Sequence, residues 1–152
     1  MPPGEVRDAA AEVQERLARF DWLALTPRHF LHVWVAGTHG VDVDELATRP
    51  PFPAAYARVA CFHDAVVAEV EAPELAGVPA PPTYLPHLTL AYVREPVPPE
   101  PLRAVLRALR EQRLGTGTVD ELLRVRFPFA RSTVLEPWRS SSVGRSGVRL
   151  SP

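Results

Sequence analysis

Lysine is absent from this 152-residue chain, so all 17 of its Lys-or-Arg positions are arginine. Cysteine occurs once, at Cys61, which excludes an internal disulfide and any zinc site built on a cysteine cluster. No apolar run approaches the roughly 18–20 residues that a membrane-spanning helix needs. The opening residues MPPGEVRDAAAE are polar and acidic where a secretory leader would be apolar, so the expected location is cytoplasmic. Also missing are a glycine-rich phosphate loop, a serine-elbow motif and a zinc-ligand spacing. The net charge of −1 leaves no global field for nucleic acid.

What is present fits one folded domain. Apolar residues make up 46% and charged residues 23%, enough for a hydrophobic core with a solvated surface. The expected organisation is a single domain over residues 1–138 followed by an Arg- and Ser-rich tail over 139–152, with a monomer as the default. Charge is uneven. From Leu122 onward, Arg124, Arg126, Arg131, Arg139, Arg145 and Arg149 face one acid, Glu136, so a local basic patch for phosphate can form there. For the last three arginines a solvated tail is the simpler expectation.

The apolar spacing predicts a helix over 4–20, where Val6, Ala9, Ala10, Val13, Leu17 and Phe20 recur at three- and four-residue steps. A strand is expected over 29–37. Pro50, Pro51 and Pro53 argue against a regular element in the weakly patterned stretch 41–57. Residues 57–72 read as two strands joined near His63-Asp64, or as one bent strand, and 73–82 as a loop. A strand over 86–93 and a helix over 99–113 follow, the latter stopped by Gly115 or Gly117. A last strand region spans 122–138. The fold class is α+β, with a largely antiparallel sheet.

Two of the strands carry a central histidine. In PHLTLAYV, residues 86–93, alternation places His87 and Thr89 on one face and leaves Leu88, Leu90 and Tyr92 to face a core. In FLHVWVAG, residues 30–37, His32 and Trp34 share a face opposite Leu31, Val33 and Val35. Each strand neighbours one amphipathic helix in sequence, which is consistent with two similar lobes meeting at a central cleft. Two imidazoles facing one another are sufficient for acid–base chemistry without a metal. One takes a proton from an attacking hydroxyl or water while the other protonates the leaving oxygen. A hydroxyl two residues on, as in Thr89, can donate to a phosphate oxygen.

This pattern resembles the two-histidine phosphoesterases, the group that includes 2′-5′ RNA ligase-like proteins and RNA 2′,3′-cyclic phosphodiesterases. Their signature is a pair of strands bearing His-x-Thr/Ser. Residues Pro86 to Tyr92 match it closely. Residues Leu31 to Val35 match at the histidine, with Trp34 in place of the hydroxyl residue. The resemblance implies a pseudo-symmetric, two-lobed α+β fold with helices outside antiparallel sheets. It also implies His32 and His87 as the catalytic pair, Thr89 as a phosphate contact, and no cofactor or metal. The implied partner is RNA or a nucleotide with a cyclic or 2′-linked phosphate. Members usually begin with a strand before the first helix, which this sequence does not show. The alternative is a module of the same fold that binds nucleotide or RNA without turnover.

The remaining candidates carry weaker signals. Trp34 can stack on a base or serve as a wall. Tyr84 and Arg131 are candidate substrate contacts, and Arg124, Arg126, Ser132 and Thr133 fall in the same late region as Arg131. His29 is three residues from His32 and so expected on the opposite strand face, which argues against a shared metal. His39 and His63 fall at turns. Cys61 is expected to be a small buried residue rather than a nucleophile.

Overall fold

Val6, Ala10, Val13 and Leu17, spaced one helical turn apart, are fully buried along one side of helix α1, Gly4–Leu17. The computed structural model describes residues 2–34, 50–62, 64–75, 85–95 and 100–120. The helix stops three residues before Phe20, whose N–H closes a tight turn onto the Leu17 carbonyl. The chain then forms β1, Leu23–Leu25, a single 3₁₀ turn, Arg28–Phe30, and β2, Val33–Trp34. The sequence pattern predicts one strand from residue 29. The backbone spends Arg28–Phe30 in that turn instead, after Pro27.

Next come β3, Phe52–Cys61, and β4, Ala65–Glu71, joined as a hairpin near Asp64. A second 3₁₀ turn, Pro73–Leu75, falls in the expected loop. Strand β5, His87–Val93, helix α2, Glu100–Leu109, and β6, Gly115–Val119, complete the described elements. Two expectations fail here. Proline does not exclude a strand at Pro53: it pairs with Thr118 of β6, beyond the point where β4 begins to pair with β3 at Ala55, so β3 has one described neighbour there. Gly115 and Gly117 do not merely stop α2; they belong to β6. Gly115 takes φ +124°, open to glycine at little cost, and a Cβ at Gly117 would collide with the Pro3 ring.

The six strands make one antiparallel sheet in the order β1-β5-β4-β3-β6, with β2 also pairing to β5 beside β1. The fold is α+β. Both described helices cover one face. Leu88, Leu90 and Ala91 of β5, Val66, Ala68 and Val70 of β4, and Ala54, Tyr56 and Val59 of β3 join the buried helix residues in a single core. At roughly 1.5–3 kcal/mol per fully buried aliphatic side chain, this packing holds the sheet to its helices.

Register shapes what the other face presents. β4 pairs with β5 through Val66↔Ala91 and then Val67↔Thr89, so Leu90 is skipped and forms a β-bulge. The bulge lets Leu90 and Ala91 both face the core and reverses the parity beyond them. Tyr92 therefore does not face the core with Leu88 and Leu90, as simple alternation predicts. Val93 packs against the core, and Tyr92 turns to the face of His87 and Thr89. Cys61 is also corrected: it lies at the exposed end of β3 and is not buried.

Candidate active site

Strands β2 and β5 run antiparallel with Val33 opposite Leu88 and Trp34 opposite His87. Leu31 is buried in the core and Val33 packs against it, so alternation puts His32 on the face away from the helices. His87 and Thr89 occupy that same face, because Leu88 points into the core. Carried one residue further, the register sets His32 opposite Thr89 and diagonal to His87. Diagonal neighbours on paired strands lie about 7–8 Å apart at Cα.

The two imidazoles are held by the same local device. His32 Nδ1 bonds the Phe30 carbonyl at 2.6 Å, and His87 Nδ1 bonds the Leu85 carbonyl at 2.8 Å, each two residues back along the chain. A carbonyl only accepts, so in each ring Nδ1 carries the proton. In the neutral ring Nε2 is then the basic nitrogen, and the lone pair of each ring has one fixed direction.

Both rings are half-buried, and Thr89 is 3% exposed. Burial pushes the His87 pKa below its ordinary value. The hydrogen bond to Leu85 opposes that shift, positive charge on His32 lowers the pKa further, and the Asp64 carboxylate raises it. His32 is thus near enough to act on His87 through its charge. The Phe62 ring stands edge-on to the His87 ring, with centroids 5.0 Å apart, and contributes to its desolvation. On the far side of His87, Glu69 of β4 is its cross-strand partner, and its carboxylate accepts a 2.7 Å bond from Arg58 Nε.

Of the residues that the sequence singles out, the structure brings His32, His87 and Thr89 onto one face, and the backbone of Trp34 into register with His87. Tyr84, Arg131, Arg124, Arg126, Ser132, Thr133, His39 and His63 lie outside the described residues. His29 is exposed in the 3₁₀ turn, its ring 4.4 Å from that of Phe30. Among the described residues no group of three His, Cys, Asp or Glu side chains gathers in a way that could hold a metal ion. The sequence by itself does not single out Phe62 or Gln14. Phe62 reads as one more strand residue, and its only signal is its place beside the His63-Asp64 turn. Gln14 is a polar residue on the otherwise apolar side of α1, and that mismatch is itself the signal.

The fold has a counterpart among solved structures. The chain is similar to TT0787 of Thermus thermophilus, with a TM-score of 0.56 and 22% identity, over 82% of this chain and 85% of that one. That likeness is one of fold. No protein-family model matches the sequence, and no curated protein does.

Proposed function

We propose that this chain is a metal-independent phosphoesterase of the two-histidine type, acting on a 2′,3′-cyclic phosphate or a 2′-5′ linkage in RNA or nucleotides. The observation that carries the reading is the matched pair His32 and His87. Both stand on one sheet face with Nδ1 tied to the carbonyl two residues back. The motif around Pro86 to Tyr92, with its resemblance to the two-histidine phosphoesterases, gives the substrate class. The pseudo-symmetric two-lobed layout of that family belongs to the same proposal, with the repeated imidazole–carbonyl device as its local trace.

In the proposed reaction, Nε2 of one neutral imidazole accepts a proton from water as the oxygen attacks phosphorus. The bond from phosphorus to one ribose oxygen breaks, and Nε2–H of the other, protonated ring donates to that oxygen. A ring-opened phosphomonoester leaves. The two rings have exchanged protonation states, and proton exchange with solvent resets them. The lowered pKa of His87 keeps it neutral near pH 7, the form that a general base needs. Thr89 donates its hydroxyl to a phosphate oxygen, while Trp34, Tyr84 and Arg131 contact the substrate.

The test is hydrolysis of 2′,3′-cyclic nucleotides by the purified protein in the presence of EDTA. Activity is expected to survive the chelator and to fall about 10²–10⁴-fold in His32→Ala and in His87→Ala. Activity that vanishes with EDTA, or persists in both variants, contradicts the proposal.

A second reading has its own observation. Trp34 stands where the motif has a hydroxyl residue, and it pairs in register with His87. A module that binds nucleotide or RNA without turnover fits that exchange. It predicts ligand binding without hydrolysis in the natural protein and gain of hydrolysis in Trp34→Thr. If Trp34→Thr turns over no faster than the natural protein, Trp34 is not the block.

A further inference from the structure

Gln14 is 8% exposed, on the face of α1 that otherwise buries Val6, Ala10, Val13 and Leu17. A helix that needed only to pack would carry an apolar residue there. Both hydrogens of the amide are used: Nε2 donates to the Thr26 carbonyl at 2.7 Å and to the Leu90 carbonyl at 2.8 Å. The Leu90 carbonyl also accepts the Thr26 N–H at 2.9 Å. Thr26 and Leu90 are thereby locked into one knot with the helix.

The two carbonyls belong to the two segments that carry the histidines. Thr26 opens the stretch that runs through Pro27 and the Arg28–Phe30 turn to His32. Leu90 is the bulge residue of β5, next to Thr89 and three places after His87. The register skips Leu90 on the β4 side, so β4 does not fix this point of β5. Gln14 supplies the missing constraint from the opposite face of the sheet.

We propose that Gln14 is a positioning residue that fixes the spacing of His32 and His87 by stapling Thr26 to the Leu90 bulge. The role serves the phosphoesterase reading above and is tested separately from it. Catalysis by two rings on one phosphate depends on their separation, and a misplacement of about 1 Å can cost roughly 10²-fold in rate.

The experiment follows the imidazole resonances of the whole protein by NMR through a pH titration. The groups facing His87 are His32, Phe62 and Asp64, with Glu69 opposite and bonded to Arg58. In the natural protein, His32→Gln removes a charge that opposes protonation of His87, so the His87 midpoint rises. In a Gln14→Met background that rise is expected to shrink or vanish, because the rings no longer keep their spacing. Thr26→Val, which changes the same buried spot but keeps the amide and both carbonyls, is the control and should preserve the full rise. An undiminished rise in Gln14→Met overturns the proposal.

Should Gln14→Met not fold, the natural protein still decides. Both Gln14 side-chain amide hydrogens, bonded to buried carbonyls, are expected to exchange with solvent far more slowly than those of an exposed glutamine, and exchange at the exposed rate overturns the proposal. On a 2′,3′-cyclic nucleotide, Gln14→Met is expected to lower kcat by about 10²-fold and leave KM largely unchanged. A natural protein without turnover sinks the phosphoesterase reading alone, since the titration still reports the spacing of the rings.

Discussion

An imidazole whose Nδ1 donates to a backbone carbonyl presents one lone pair in one direction, and His32 and His87 are both fixed this way. Their environments then set their titration. For His87, burial dominates and lowers the pKa, so the acid limb of a rate that needs this ring neutral should fall as pH drops through a midpoint below about 6.5. Asp64 raises that pKa, so Asp64→Asn should move the acid limb to still lower pH. Phe62→Ala should move it up toward the ordinary value by letting water in. A pH–rate profile of each variant checks both directions. Thr26 offers a contrast. Its hydroxyl is buried with no hydrogen-bond partner among the described residues, so Thr26→Val should leave stability unchanged or raise it by up to about 1 kcal/mol in urea unfolding. Thr89→Val, by contrast, should lower kcat by about 10²–10³-fold if its hydroxyl holds the phosphate.

At the scale of elements, the bulge at Leu90 decides which β5 side chains share the site's face. The sequence shows that His87 and Thr89 alternate with Leu88, because two-residue periodicity is local. It cannot show that Tyr92 changes sides, because the bulge is a property of the pairing with β4. The hairpin of β3 and β4 is legible from its valine-rich halves around Asp64. Strand β6 is not: GTGTV interleaves its β-branched residues with two glycines and shows no apolar alternation, and its pairing with β3 makes it a strand. Phe62 and Gln14 escape for the same reason, since each matters through a contact made only by the folded chain. The positive φ of Gly115 falls at the first residue of β6. Gly115→Ala should destabilise the protein by roughly 1–3 kcal/mol in urea unfolding.

For the molecule as a whole, the sheet separates two tasks. One face is closed by α1 and α2 over a continuous core, and the other carries the two imidazoles. Leu88 stands on the closed side between His87 and Thr89, so it links the two. Leu88→Ala should cost about 2–5 kcal/mol of stability, measured by chemical unfolding, before any effect on chemistry is considered. None of the described helices is long and apolar enough to cross a membrane. If His32 and His87 act as a unit on one phosphoester, a double-mutant cycle on kcat for 2′,3′-cyclic nucleotide hydrolysis will show it. Each single alanine variant should lose about 10²–10⁴-fold, and the double variant should be scarcely worse than the poorer single. Losses that multiply independently, or a single variant with undiminished kcat, would contradict it.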